Sequence, residues 1–282
     1  MSDHPLLVTG GSGYLGSELL RQAAGRPLAA TYLSRPPAGD DADWLRLDVR
    51  DADAVARALD RLRPAAVIHT AYRQEGEGAR AVTVDGAAAV AAAARARGAR
   101  LLHLSSDVIF DGTKPTPYDE RDPPSPITDY GRAKADAERA VREAHPEALL
   151  VRTSLIYGGR ERSRHERLAL EAAGGTGDLA FFDDELRSPV VVADLAAALL
   201  ELVGREESGV LNVAGREVVS RYEFACLVAE AGGLPPDRIR RSSIAEAGLT
   251  RPRNCALAHE RAARLLRTRI RGAREWLKRG RH

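Results

Sequence analysis

Tyr130 and Lys134 are the two side chains whose types and spacing best suit proton transfer. They open a predicted helix, and a separation of four residues places both on one helical face. A phenol with a pKa of about 10 exchanges protons poorly at neutral pH, but a neighbouring ammonium favours the phenolate and lowers that pKa. Lysine is rare in this arginine-rich chain, and an arginine at 134 could not relay a proton. The pair therefore predicts a general acid, with a packing role for Tyr130 as the structural alternative.

A hydroxyl group that binds a carbonyl oxygen is expected as the third member of this group. Ser105 and Ser106 lie at the end of a predicted strand that precedes the Tyr130 helix. Because side chains alternate along a strand, only one of the two serines can face a crevice at the strand end. The alternative is that both hydroxyls only satisfy backbone groups there.

A glycine-rich loop near the start of the chain predicts a dinucleotide site. Gly10, Gly13 and Gly16 recur at three-residue spacing between the first predicted strand and the first predicted helix. Gly10 permits a tight turn, Gly13 lets a pyrophosphate approach the backbone, and Gly16 lets helix and strand pack closely. Backbone N–H groups at the helix N-terminus then bind the phosphates. We expect Tyr14 and Leu15, in the same segment, to contact the cofactor as well.

The residues after the second predicted strand indicate which dinucleotide binds. An acidic residue there would bind a free ribose 2′-hydroxyl, whereas a basic residue would accept a 2′-phosphate. Ser34 and Arg35 occupy this place, and no carboxylate precedes Asp40. We therefore predict NADP(H), with a solvated surface role as the alternative for Arg35.

Further cofactor contacts are expected from topology alone. Asp48 and Val49 follow the third predicted strand and are expected to face the adenine. Thr70, Ala71 and Tyr72 follow the fourth predicted strand and are expected beneath the nicotinamide ribose.

The elements that must position these residues alternate between strands and helices. This rhythm is typical of an α/β, Rossmann-type doubly wound parallel sheet with helices on both faces. The predicted strands are Leu6–Thr9, Leu28–Leu33, Trp44–Leu47, Ala66–Thr70, Arg100–Ser105 and Ala148–Thr153. The predicted helices are Leu15–Ala24, Asp53–Leu62, Ala79–Arg97 and Tyr130–Glu143.

The regular alternation of predicted strands and helices ends after Thr153, and this change predicts a second part of the fold. We expect an NADP-binding Rossmann domain over 1–155, with 189–213 returning to it. A small C-terminal substrate-binding lobe is expected over 156–188 and 214–282. The basic stretch Arg261–Arg281 interleaves apolar residues at helical spacing, and it predicts one amphipathic terminal helix rather than a nucleic-acid patch.

Composition argues against several other classes of protein. The 282 residues carry 42 lysines and arginines against 40 acidic residues, so a net charge of +2 gives no general attraction to nucleic acid or membrane lipid. Cys226 and Cys255 are too few for a disulfide framework or a metal site, which favours a reducing cytoplasm. No run of about eighteen apolar residues occurs, so no membrane span is expected.

Several short motifs recur in an order that is more specific than any one of them. They are Ser105–Gly112, Pro117–Glu120, Tyr130–Lys134, Arg152–Gly158, Ala193–Ala196, Asn212–Gly215 and Arg251–Asn254. With these motifs the sequence resembles the extended short-chain dehydrogenase/reductase family, in its branch of dTDP-4-dehydrorhamnose reductases. The resemblance covers almost the whole chain.

The resemblance implies an activity and assigns roles. Ser106 takes the place of the family's catalytic serine or threonine, Tyr130 that of the acid and Lys134 that of its partner. The implied reaction is NADPH-dependent reduction of the C4 ketone of a nucleotide-linked 4-keto-6-deoxy sugar, by a homodimer. Both Tyr130 and Lys134 would also contact the cofactor.

The expected substrate contacts are Ser106, Asp107, Leu155 and Arg187. The charge of Arg187 suits a diphosphate, with a solvated loop arginine as the alternative. Leu155 stands where related enzymes often carry an aromatic residue, and the segment Gly158–Phe181 is unusually rich in arginine. Both departures leave the identity of the sugar open.

Two other functions fit the same resemblance. The family includes non-catalytic NADP-binding subunits that resemble the methionine adenosyltransferase regulatory β subunit, and Arg251–Asn254 fits those equally well. Ser106, Tyr130 and Lys134 are intact, which favours an enzyme, but such subunits can retain them. The third alternative is a reductase of another activated sugar or ketone.

Overall fold

A computed structural model describes residues 4–34, 42–177 and 179–278 of the chain, and Arg35 lies outside these ranges. The strands are β1 (Leu6–Thr9), β2 (Leu28–Tyr32), β3 (Asp43–Arg46), β4 (Ala66–His69), β5 (Arg100–Ser106), β6 (Leu149–Thr153), β7 (Ile156–Tyr157), β8 (Phe181–Phe182), β9 (Leu186–Arg187), β10 (Val190–Val191), β11 (Gly209–Asn212), β12 (Val219–Ser220) and β13 (Arg241–Ser242). The helices are α1 (Tyr14–Gln22), α2 (Ala52–Leu62), α3 (Gly86–Ala96), α4 (Asp129–Ala144), α5 (Arg164–Ala173), α6 (Val192–Val203), α7 (Arg221–Ala231), α8 (Glu260–Leu265) and α9 (Ala273–Lys278).

The main sheet has the strand order of a doubly wound α/β fold. Within the described residues the order is β11-β6-β5-β4-β1-β2-β3. Strand β1 pairs in parallel with both β2 and β4, and the pairs β2–β3 and β4–β5 are also parallel. The order therefore reverses between β1 and β4, where such sheets bind ligands beyond the carboxyl ends of their strands. The predicted Rossmann-type fold is confirmed.

Continuous apolar runs explain why β1 and β4 form the centre of this sheet. Their segments, Leu-Leu-Val-Thr and Ala-Val-Ile-His, are buried throughout. Strands covered by helices on both faces are expected to be apolar in this way rather than alternating. Their polar residues, Thr9 and His69, pair with each other at the carboxyl ends, beside the point where the strand order reverses.

Apart from the alanine-rich helix, the predicted elements of the first half agree with the observed ones to within two residues at each end. The main local difference lies in the alanine-rich helix, predicted as Ala79–Arg97. Residues Ala81–Asp85 form a π-helical segment, and the regular helix α3 begins at Gly86. A Cβ at Gly86 would lie 2.6 Å from the side chain of Val49, so this glycine permits the close approach of α3.

The chain folds into two compact units, each built from three segments. The first unit contains Met1–Ser105, Asp129–Val151 and Ala196–Leu211; the second contains Ser106–Thr128, Arg152–Leu195 and Asn212–His282.

Residues 106–128 group with the second unit, although the sequence prediction assigned them to the Rossmann domain. Within that unit Tyr118 forms a β-bridge with Leu257. The backbone of Gly112 lies so close to Pro252 and Arg253 that a Cβ would not fit between them. Contacts with residues far away in the sequence therefore determine where this segment belongs.

The prediction of one terminal helix over Arg261–Arg281 is wrong for the described residues, because α8 ends at Leu265 and α9 begins at Ala273. In the connection, the backbone N–H of Arg271 donates to Asp194 Oδ2 at 2.8 Å, and its guanidinium pairs with the same carboxylate. These tertiary contacts outweigh the helical spacing of the apolar residues. Within the described residues, none of the helices combines the length and apolar character needed to cross a membrane.

Candidate active site

The glycine-rich loop connects β1 to α1 in the first unit. Gly10 has a φ of 75°, in the left-handed region that favours glycine. A Cβ there would lie 2.9 Å from the backbone nitrogen of Ala71. The loop is held at β2, because Thr31 accepts hydrogen bonds from the N–H groups of Gly10 and Gly11, through its side chain and its carbonyl group respectively.

The N-terminus of α1 suits a phosphate group. Its capping residue is Gly13, which offers no side chain to bind the first N–H groups of the helix. The first turn, from Tyr14 through Leu15 to Gly16, contains no acidic residue. An exposed helix N-terminus with this composition attracts an anion through its N–H groups and its dipole. The residues present therefore fit the pyrophosphate of a dinucleotide.

The segment after β4 lies against this loop. The Thr70 hydroxyl donates to the carbonyl oxygen of Thr9 at 2.8 Å, and the backbone of Ala71 lies beside Gly10. Tyr72 follows, with 53% of its surface exposed. The structure thus brings together the predicted contacts from the loop and from the end of β4.

The predicted adenine contacts differ in their environments. Arg50 donates to Asp48 through Nε and Nη2, and this ion pair holds the pKa of Asp48 below its usual range. The Val49 side chain is 5% exposed and belongs to the hydrophobic core. A contact from Val49 to a nucleotide would therefore use its backbone. Ser34, beyond the end of β2, is exposed.

Lys134 is a buried ammonium group on α4, with only 4% of its surface exposed. Its Nζ donates to the carbonyl oxygen of Leu104 at 2.6 Å and lies 5.4 Å from the centre of the Tyr72 ring. The half-buried Tyr130 lies one helical turn earlier, and its ring centre is 5.9 Å from that of Tyr72. Burial lowers the pKa of Lys134 to about 8, opposed in part by the charge of Glu138.

Two buried histidines accompany Lys134, and sequence reasoning missed them. His69 and His103 occupy paired positions on β4 and β5, and their rings stack with centres 5.3 Å apart. Thr9 Oγ1 lies 2.6 Å from His69 Nδ1. Burial, reinforced by the charge of Lys134, lowers the pKa of His69 to about 3 and that of His103 well below its usual value. The ammonium therefore lies near two neutral imidazoles at physiological pH. The available signal was the recurrence of a histidine near the ends of two adjacent predicted strands.

The lowered pKa of Lys134 predicts a pH dependence of stability. Between pH 8 and 10.5 the unfolded chain keeps the Lys134 proton while the folded chain has lost it, so stability attributable to this group rises with pH. The cost of burying the charge is fully present below pH 8. We expect the free energy of unfolding of wild type, relative to Lys134→Met, to increase by up to about 3 kcal/mol across this window. Urea denaturation of both proteins at several pH values measures this difference. Curves that stay parallel would show that Lys134 keeps an ordinary pKa.

Ser106, the last residue of β5, begins the second unit, and Asp107 follows it. The Ser106 hydroxyl lies 3.3 Å from Asp107 Oδ1, to which it donates, and Ser106 remains half-buried. Ser105, which precedes it, is 3% exposed. Of the two serines, Ser106 is the one with an accessible side chain, as the alternation along a strand requires.

Two of the predicted substrate contacts lie in a buried charged network. Asp107 Oδ2 accepts a hydrogen bond from Ser154 Oγ at 2.6 Å and lies 3.7 Å from Arg187 Nε. Arg187 also pairs with Glu185 at 3.1 Å. Burial raises the pKa of Asp107 despite the charge of Arg187. Leu155, next to Ser154, is half-buried. Asp107 and Arg187 bind each other and are suited to holding neighbouring backbone in place, whereas Ser106 and Leu155 are accessible.

The chain resembles known proteins over nearly its full length. The RmlD substrate binding domain family matches residues 4–280. The dTDP-4-dehydrorhamnose reductase of Mycobacterium tuberculosis is 37% identical over 88% of this chain and 82% of that protein. Methionine adenosyltransferase 2 subunit beta of Pongo abelii is 29% identical over 89% of this chain and 79% of that protein. A solved structure of dTDP-4-dehydrorhamnose reductase from Bacillus anthracis, in complex with NADP, has a TM-score of 0.82 at 25% identity and covers 98% of both chains.

Proposed function

The chain belongs to the RmlD substrate binding domain family, and we propose that it catalyses NADPH-dependent reduction of the C4 ketone of a nucleotide-linked 4-keto-6-deoxy sugar. The observation that carries this proposal is the buried ammonium of Lys134, fixed to Leu104 at the carboxyl end of β5. The ring of Tyr72 contacts both this ammonium and Tyr130. Burying a lysine ammonium is costly, so its presence beside a phenol favours a chemical role.

The cofactor site supports this reaction. The uncapped N-terminus of α1 and the close approach of Gly10 to Ala71 form a cradle of backbone groups for a pyrophosphate. NADPH, when bound, supplies the hydride that attacks the carbonyl carbon. The named relatives from Mycobacterium tuberculosis and Bacillus anthracis are reductases, and the second was solved with NADP.

Side chains of this protein supply the proton and bind the substrate's carbonyl oxygen. Tyr130 donates its phenolic proton to the oxygen as that atom gains negative charge. Lys134 stabilises the resulting phenolate through its positive charge and binds ribose hydroxyl groups. Ser106 donates a hydrogen bond to the same substrate oxygen, and Leu155 contacts the sugar. Asp107 and Arg187 keep Ser154 and its surroundings in place.

A binding subunit is the second candidate function, and the similarity to methionine adenosyltransferase 2 subunit beta favours it. In that case the cofactor would stabilise the fold, and the chain would act by binding a partner protein. The identity to the reductase from Mycobacterium tuberculosis is higher, which favours the enzyme. A measurement of ketone reduction distinguishes the two functions, because only the enzyme would turn over a substrate.

Purified protein is expected to oxidise NADPH when supplied with dTDP-4-dehydrorhamnose or dTDP-4-keto-6-deoxyglucose. With NADPH deuterated at the transferred position, mass spectrometry should find one deuterium in the sugar product. A parallel panel of other keto-sugar nucleotides and small ketones tests the third alternative. Tight NADPH binding without turnover of any ketone would exclude the reductase and favour the binding subunit.

A further inference from the structure

Arg46 is held beside the end of β2 by strand pairing and by a hydrogen bond. It is the last residue of β3 and pairs with Tyr32, the last residue of β2. Its Nε donates to the carbonyl oxygen of Leu33 at 3.1 Å, just beyond that strand. The side chain is thereby fastened where β2 ends, next to the exposed Ser34.

The positive charge of Arg46 has no counter-ion among the residues that the structure describes. The nearby carboxylates are already bound: Asp48 pairs with Arg50 at 2.5 Å, and Asp43 pairs with Arg61 at 3.6 Å. The bond to Leu33 uses only Nε, so the two Nη groups of Arg46 remain to bind a ligand. The end of β2 therefore presents a guanidinium whose charge an anion would neutralise.

The position of this charge indicates the ligand. In a dinucleotide-binding sheet, the substituent on the 2′-position of the adenosine ribose lies at the end of the second strand. A free 2′-hydroxyl is bound there by a carboxylate, but Asp48 is occupied by Arg50. A guanidinium with two Nη groups suits a phosphate, whose oxygens accept two hydrogen bonds at once.

We propose that Arg46 binds the 2′-phosphate of NADP(H) and determines the preference for this cofactor, together with Ser34. This inference rests on the cofactor site of the proposed function and adds a residue to it. Sequence order alone points to Arg35, which lies outside the described residues. The pairing of β2 with β3 brings Arg46 to the end of β2.

The test compares Arg46→Gln with Arg61→Gln, which removes the same charge from a paired and exposed arginine on α2. Dissociation constants are measured calorimetrically for NADPH, NADH, 2′,5′-ADP and 5′-AMP. In Arg46→Gln the constants for NADPH and 2′,5′-ADP should rise by about tenfold or more, the loss expected for a charge-assisted pair of bonds. Those for NADH and 5′-AMP should stay within about twofold. Arg61→Gln should resemble wild type for all four ligands.

Three results would overturn the inference. They are equal losses for NADPH and NADH in Arg46→Gln, unchanged NADPH affinity in that variant, or a wild type that binds 2′,5′-ADP no better than 5′-AMP. The outcome is independent of catalysis. A selective loss of NADPH affinity supports the role of Arg46 even if no keto sugar is reduced, and an active enzyme with unaltered selectivity contradicts it. Thermal melts of both variants check that each remains folded.

Discussion

Tyr130→Phe is expected to lower the turnover number for ketone reduction by at least about a hundredfold, the usual scale for loss of a general acid. The substitution removes only the phenolic oxygen, so the ring keeps its contact with Tyr72. The affinity for NADPH should change little, since Lys134 and the glycine-rich loop remain. Steady-state kinetics with a saturating keto sugar, together with an NADPH titration of the same preparation, measure both quantities.

Tyr72→Phe is the matched control, because the Tyr72 ring also lies beside the Lys134 ammonium. Two phenols near one lysine give two candidates for the acid, and both the helix position and the family resemblance favour Tyr130. We expect Tyr72→Phe to retain turnover within a few-fold of wild type. If the large loss of turnover appears in Tyr72→Phe and not in Tyr130→Phe, Tyr72 is the proton donor.

The features predicted from sequence are those specified by short, continuous segments. The runs that became β1 and β4 are apolar at every position but the last, and this is typical of strands covered on both faces. The spacing of Gly10, Gly13 and Gly16 likewise depends on one turn between a strand and a helix. The structure places this turn at the point where the strand order reverses.

What could not be predicted depends on pairing between distant segments. His69 and His103 form a stacked pair only because β4 and β5 are neighbours in a given register. The counter-ion of Arg271 is Asp194, on α6, and this bond interrupts the predicted terminal helix. Arg187 was predicted as a substrate contact because its charge is visible in the sequence, whereas its burial against Glu185 is not. The charge and type of a residue can be read from the sequence, but its contact partners depend on the fold.

Gly16→Ala is expected to weaken NADPH binding by at least about a hundredfold and to lower the free energy of unfolding by roughly 1–3 kcal/mol. A Cβ at this position would lie 2.7 Å from the Cα of Gly11 and 2.8 Å from its carbonyl oxygen, and closer still to the carbonyl oxygen of Gly10. Because all three are backbone atoms, the loop must move away from α1, and the N–H groups proposed to bind the pyrophosphate move with it. Calorimetric titration and urea denaturation measure the two effects.

Gly13→Ala separates crowding of the loop from crowding of the ligand. A Cβ at Gly13 meets only the carbonyl oxygen of Gly10, at 3.1 Å, so the free energy of unfolding should fall far less than in Gly16→Ala. NADPH binding should still weaken, because the new methyl group occupies space that the pyrophosphate needs. Loss of stability with loss of binding at Gly16, but loss of binding alone at Gly13, is the pattern expected if this loop binds a dinucleotide. If both variants bind NADPH like wild type, the cofactor binds elsewhere. The roles proposed for Tyr130 and Lys134, which depend on this site, would then be contradicted.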